Sequence, residues 1–254
     1  MLFDSHAHID DKRFEEDREE VIVRAAEAGL VGIINAGACM ESSARSVALA
    51  QTHNIIYAAV GIHPHDADKA KDTDYGQLAD WHSHPKVVAI GEIGLDYYYD
   101  LSPREVQKQV FIRQIDVARQ LNKPIIIHDR DAHGDVLAIV KKEAKGMTGV
   151  FHCFSGSLEM AKEVIKLGFY VSFAGPVTYA KDGKLKTVAA NVPLEYLLVE
   201  TDCPYLTPHP FRGRRNEPAH VKFTAEEVAR VRGMEFEVLA QAATVNTKRL
   251  FGID

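Results

Sequence analysis

The chain has 254 residues, 46% hydrophobic and 26% charged, enough apolar material for one large core without a second domain. Its formal net charge of −6 excludes a protein that coats nucleic acid non-specifically with lysine and arginine, although bound cations can invert the field of an acid-lined pocket. No run approaches the ~20 apolar residues that cross a bilayer, no basic segment precedes an apolar one at the start, and Cys39, Cys153 and Cys203 form no CxxC pair, so a cytoplasmic protein with reduced thiols is expected.

Residues 2–8 read as the first strand and end in His6-Ala7-His8. Residues two apart on a strand share a face, so both rings can grip one cation from the same side. Residues 14–28 follow, with Val21, Ile22, Ala25 and Ala28 at helical spacing. Residues 31–36 and 55–62 are strands two and three, and the third runs into His63-Pro64-His65. Strand four, 87–93, carries Glu92 inside an apolar run, where a carboxylate needs a cation, or a partner such as Arg130, to offset its desolvation. A loop with Tyr97, Tyr98 and Tyr99 leads to a helix over 103–121, with Ser102 as N-cap, Pro103 at N1 and Glu105 at N3. Strand five, 124–128, ends in a histidine after three isoleucines, and strand six, 149–154, contains His152. A helix over 157–167 stops at Gly168, a residue suited to the C′ position. Strands seven and eight, 169–173 and 197–201, precede Asp202, and a last helix over 235–251 packs outside.

Strand and helix alternate eight times, which implies a parallel sheet. Right-handed crossovers would close it into a (β/α)8 TIM barrel of the α/β class, a single domain over 1–254 with an extra C-terminal helix. A doubly wound open sheet is the competing architecture. It would gather its polar residues at one switch point, whereas here they recur at the ends of many strands.

Four histidines and two carboxylates fall at the same end of five strands, the end where such barrels build their active sites. Imidazoles with carboxylates suit zinc or manganese, and carboxylates with water suit magnesium. Six ligands exceed what one catalytic ion needs. Two divalent ions (Mg, Mn or Zn), about 3.5–4 Å apart, would use them all: His6, His8, Glu92 and Asp202 on the first, and Glu92, His128 and His152 on the second, with Glu92 bridging.

The blocks Phe3-Asp4-Ser5-His6-Ala7-His8, Gly61-Ile62-His63-Pro64-His65, Gly91-Glu92-Ile93-Gly94-Leu95-Asp96-Tyr97-Tyr98, Pro124-Ile125-Ile126-Ile127-His128, His152-Cys153-Phe154-Ser155-Gly156, Glu200-Thr201-Asp202-Cys203-Pro204-Tyr205-Leu206 and Arg215-Asn216-Glu217-Pro218 resemble the TatD family of metal-dependent deoxyribonucleases, in order and spacing, along nearly the whole chain. The resemblance puts the family's metal ligands on His6, His8, Glu92, His128, His152 and Asp202. It implies 3′→5′ exonuclease action on single-stranded DNA. Related amidohydrolases often bridge their ions with a carbamylated lysine; here Glu92 stands in that place.

The remaining groups receive roles by position. Asp202 is placed to take a proton from the attacking water, and Glu200, two residues earlier on the strand, to orient a ligand. His63 and His65 are expected to reach a phosphate oxygen, or to cap a turn. One of Tyr97, Tyr98 and Tyr99, with Tyr97 the one singled out, is a candidate for stacking on a base, and plain loop packing is the alternative for the others. Arg130 and Ser155 adjoin the ligands, and Arg214 and Arg215 lie in the one dense basic run of an acidic chain, though Arg215 and Glu217 would equally brace that loop. A monomer acting on single-stranded DNA, away from membranes, is expected. A hydrolase of an ester or amide, such as a D-aminoacyl-tRNA, would use the same activated water. A non-catalytic binding protein is disfavoured because no ligand is missing.

Overall fold

A computed structural model describes residues 1–181 and 183–254. It contains β1 (Leu2–Ala7), β2 (Leu30–Ala36), β3 (Ile56–Val60), β4 (Val87–Asp96), β5 (Ile125–Arg130), β6 (Gly149–Phe151), β7 (Phe169–Phe173) and β8 (Leu197–Val199). The strands pair in parallel in chain order as one eight-stranded sheet. Between and after them run α1 (Arg18–Glu27), α2 (Met40–Thr52), α3 (Asp72–Trp81), α4 (Arg104–Leu121), α5 (His133–Glu143), α6 (Leu158–Lys166), α7 (Lys184–Asn191), α8 (Val221–Arg232) and α9 (Phe236–Phe251).

The barrel closes at a seam between β1 and β8. Thr201 donates its N–H and its hydroxyl to Asp4, at 2.9 and 2.6 Å, and the Ser5 hydroxyl donates to the Val199 carbonyl at 3.0 Å. Just above, Asp202 N–H donates to His6 O at 2.9 Å and His8 N–H to Cys203 O at 2.8 Å. This seam carries Asp202 to the two histidines, which lie almost the whole chain away in sequence.

One core cluster draws Phe3, Ile34, Ala59, Val88, Ile126, Val150, Tyr170 and Leu198 from the eight strands and fills the barrel. A second, larger cluster lies between sheet and helices. One pleat above the inner layer the side chains turn polar: Ile126 is followed by His128, Val150 by His152, Tyr170 by Ser172 and Leu198 by Glu200. The apolar layer is thus the platform on which the site stands. At the opposite end, α9 does more than pack outside, because Leu250 and Phe251 join the inner cluster and cover the bottom of the barrel.

Helix α4 adds two buried amides that hold strand ends in place. Gln114 exchanges both hydrogen bonds with the backbone of Ile62, at 2.7 and 2.9 Å, and Gln107 does so with Asp96, at 2.9 and 3.2 Å. Gly94 has φ +146°, and a Cβ there would lie 2.0 Å from the His128 carbonyl oxygen. Only glycine permits β4 and β5 to approach so closely at this point.

Several local expectations need correction. Residues 14–28 do not form one helix: a 3-10 turn (Lys12–Phe14) precedes α1, with Asp17 at φ −140° as its N-cap. Phe14 is buried in that turn, and Asp17, at φ −140° and ψ 25°, lies outside the helical region and interrupts the helix. Ser102 does not cap α4, whose N-cap is Pro103. The Ser102 hydroxyl donates instead to His65 O at 3.1 Å, tying α4 to the loop after β3. Strands three, six and eight are shorter than expected, so His63, His152, Glu200 and Asp202 sit just beyond strand ends. Gly168 does take a left-handed φ of +91° directly after α6.

Candidate metal centre

Glu92 stands at the middle of the barrel mouth, almost fully buried. Its Oε2 lies 3.3 Å from His6 Nε2 and 3.4 Å from His8 Nε2. Its Oε1 lies 2.7 Å from His128 Nδ1, 2.8 Å from His152 Nε2 and 3.5 Å from His63 Nε2. Asp202 Oδ1 completes the first side, 3.6 Å from His6 and 3.4 Å from His8. All six residues singled out as ligands therefore meet in one cluster, and the two carboxylate oxygens of Glu92 face different histidines. Arg130 is not the partner of Glu92; its guanidinium stacks over the ring of Tyr98 at 4.0 Å.

The donor set suits divalent cations. His6 Nε2 and His8 Nε2 are 3.1 Å apart, and His128 Nδ1 and His152 Nε2 are 3.3 Å apart. Each such nitrogen pair can share only one proton, while a cation accepts both lone pairs and the carboxylate charge together. The outward nitrogens are mostly anchored, as ligand rings usually are. His8 Nδ1 meets Ala36 O at 2.8 Å, His128 Nε2 meets Asp96 Oδ2 at 3.0 Å, and His152 Nδ1 meets Glu200 Oε1 at 3.2 Å. His6 Nδ1 is buried without a partner among the described residues.

Charge follows from this packing. Burial disfavours protonated His8, but Asp202 and Glu92 outweigh it and hold the ring well above its usual pKa. Burial likewise opposes charge on His152, and Glu92 and Glu200 reverse the balance. Burial alone would raise Glu92; the surrounding His152, His63 and His6 and the bond from His128 hold it well below the usual carboxylate range. His63 is pushed down to about 4 by burial and by the neighbouring His128, so it is neutral at pH 7. Its Nδ1 accepts the His65 N–H at 3.1 Å, which leaves the hydrogen on Nε2, facing the cluster.

The strand reading of Glu200 and Asp202 as neighbours on one face does not hold. β8 ends at Val199, and Asp202 adopts φ +55°, so the two carboxylates part. Glu200 is fully buried beneath the mouth, where it accepts from Cys153 N–H at 2.9 Å and braces His152. It was expected to orient a ligand and, being fully buried, is placed to act only through His152.

Above the cluster opens a cavity of about 1330 Å³, lined among others by His65, Arg130, Ser155 and Arg214. Tyr97 lies outside it. Its hydroxyl donates to Asp135 at 2.7 Å and its ring lies under Arg104, so the substrate contact expected of it is withdrawn. Arg215 is also spent elsewhere: it pairs with Asp17 at 2.8 and 2.6 Å and covers Phe14, while Glu217 pairs with Arg24 at 2.8 Å. The bracing role is the one the structure displays.

Sequence reading missed Asp96. Its Oδ2 meets both His65 Nε2, at 2.9 Å, and His128 Nε2, and its Oδ1 accepts the N–H groups of Tyr98 and Tyr99, at 3.0 and 2.8 Å. An aspartate four residues after Glu92 was the available signal. Asp10 was missed too. It lines the cavity, nearly buried, and holds Asn35, Ser42 and Arg45 at 3.0, 2.7 and 3.2 Å.

A family model described as TatD related DNase matches residues 3–252. The chain belongs to this TatD family. It is 48% identical over 255 residues to the uncharacterized metal-dependent hydrolase YabD of Bacillus subtilis, with all of both chains covered. It is 33% identical to the 3′-5′ ssDNA/RNA exonuclease TatD of Shigella flexneri, covering 99% of each. Among solved structures, the TatD homologue YjjV of Escherichia coli K12 superposes with a TM-score of 0.93 at 34% identity, covering 100% of this chain and 98% of that one. As a TatD member the chain is a metal-dependent hydrolase. Among the described residues, no helix is long and apolar enough to cross a membrane.

Proposed function

We propose that this TatD-family hydrolase cuts phosphodiester bonds of single-stranded DNA, working from the 3′ end, with two divalent cations of the Mg, Mn or Zn kind. The observation that carries the proposal is the division of Glu92: one oxygen toward His6 and His8, the other toward His128 and His152, beneath a mouth bearing Arg130 and Arg214. His6, His8, Glu92 and Asp202 would hold one ion and Glu92, His128 and His152 the other. Such ions supply Lewis acidity and neutralise phosphate charge.

The chain's own groups do the rest. Water attacks phosphorus in line, a new P–O bond forms, and the bond to the leaving sugar oxygen breaks. Asp202 accepts the proton of the attacking water, and the leaving oxygen takes one up from solvent. Neutral His63 donates from Nε2 to a non-bridging oxygen. Arg130 and Arg214, two of the basic groups that line the mouth beside its acids, draw the backbone of the strand toward the cluster.

The test uses purified chain with Mg, Mn or Zn against 5′-labelled single-stranded DNA, RNA, duplex DNA and a D-aminoacyl ester. A ladder shortening from the 3′ end of the single strand is the expected result. Turnover of the aminoacyl ester without phosphodiester cleavage would overturn the proposal. Glu92→Ala should abolish cleavage and lower the metal content read by mass spectrometry, and near-normal cleavage in that variant would remove the bridge.

A further inference from the structure

Two half-exposed tyrosines stand on opposite walls of the mouth, and both are built alike. Tyr99 follows β4 and is 53% exposed; the guanidinium of Arg130, from the end of β5, lies 4.8 Å from its ring centre. Tyr205 follows β8 and is 47% exposed; the guanidinium of Arg13, from the turn after β1, lies 4.1 Å from its ring centre. Each ring stands edge-on to a histidine of the mouth. Tyr99 meets His65 at 5.4 Å and 87°, and Tyr205 meets His8 at 6.2 Å and 80°. All six residues line the same cavity.

The strand order fixes how these pairs are related. In a closed ring running β1 to β8, the β4–β5 boundary and the β8–β1 boundary are diametrically opposed. Glu92 and its histidines lie between them. Aromatic rings left in water beside a charged site lose burial that a fold normally gains. Their value here is as surfaces for a flat partner. Stacking on an aromatic ring tolerates every base, and a guanidinium on the same ring fixes it and offers positive charge to a nearby phosphate.

We infer that Tyr99 with Arg130, and Tyr205 with Arg13, are two nucleobase platforms that receive the bases on either side of the scissile phosphodiester, splayed to opposite walls. This rests on the phosphodiesterase reading above and deepens it. A phosphate that reaches Glu92 and Asp202 at the centre leaves its two flanking bases no common wall. A duplex, or a strand that keeps its bases stacked, does not fit that arrangement. The requirement for a single strand is thus written into the placement of two side chains.

The test measures KM and kcat on 5′-labelled octathymidylate and on the same oligomer with an abasic residue at the terminal position, the penultimate position or both. Stacking on an aromatic contributes roughly 10-fold in affinity per base, so each abasic replacement should raise KM about 10-fold while kcat changes little. Tyr99→Ala and Tyr205→Ala should each raise KM about 10-fold on the normal oligomer, yet leave it unchanged where the matching base is already missing. Tyr99→Phe and Tyr205→Phe should restore normal KM. Equal losses on normal and abasic oligomers would mark the tyrosines as merely structural and overturn the inference, as would unaltered KM throughout. In both cases wild-type cleavage of the single strand would still stand. If the wild-type enzyme cut no phosphodiester at all, the reading of function and the platforms would fall together.

Discussion

Glu200 Oε1 lies 3.2 Å from His152 Nδ1, while the other nitrogen of that ring points at Glu92 from 2.8 Å. The buried carboxylate therefore fixes which nitrogen of His152 faces the centre. Outer partners of this kind are typically worth about 10- to 100-fold in metal affinity or activity. Glu200→Gln should lose that much metal affinity in calorimetric titration while keeping its circular dichroism. An unchanged affinity would show that His152 needs no such anchor.

The two neighbouring arginines after β8 should behave differently. Arg214 lines the mouth, whereas Arg215 pairs with Asp17. Arg214→Ala should weaken binding of single-stranded DNA and reduce the slope of log affinity against log salt by about 1. Arg215→Ala should leave that slope alone and cost at most about 1 kcal/mol of stability, as exposed ion pairs do. Filter-binding isotherms across a salt series read both outcomes, and equal slopes for Arg214→Ala and the wild type would remove Arg214 from the substrate path.

Gly94 allows β4 to press on β5 at His128. Gly94→Ala places a Cβ against the His128 carbonyl at a φ of +146°, which L side chains rarely adopt. A loss of at least about 2 kcal/mol in urea unfolding is expected. A variant as stable as the parent would show that the strands can part without penalty.

His82 links pH to stability away from the metal centre. Burial, with Lys123 adding to it, depresses its pKa from 6.5 to about 4. The unfolded chain therefore binds a proton below about pH 6.5 that the folded ring refuses until about pH 4. Stability should fall as pH drops through that window, with a share on the order of 1–2 kcal/mol from this ring. His82→Gln should narrow the difference between denaturation at pH 7 and pH 5. Parallel pH profiles for variant and parent would refute the assignment.

The barrel and the cluster of histidines and carboxylates at its mouth were legible in large part because they rest on local rules. His128 and His152 sit one pleat above Ile126 and Val150, so alternation alone carries them to the same mouth. His6 and His8 do not follow from simple alternation, because Phe3 and Ser5 are the inward residues of β1 and the register of the strand shifts between Asp4 and Ala7. Glu92 was visible as an acid in a run of apolar residues. What escaped were pairings made by ring closure rather than by spacing. Nothing in the sequence says that Arg13 will lie on Tyr205, or Arg130 on Tyr99, because these partners come from loops that only the closed barrel brings together. Asp96 was hidden for a related reason: its significance lies in serving two histidines and a loop backbone at once. Tyr97 misled because three consecutive tyrosines look alike until the turn after Asp96 sends one inward to Asp135 and leaves the other two at the rim.

Leu250 and Phe251 stop the lower end of the barrel. Anything that visits Glu92 must then arrive and depart by one doorway. On the exonuclease reading proposed above, a freed nucleotide and the advancing strand would contend for the same opening, and the pace of repeated cutting would depend on how quickly the fragment vacates it.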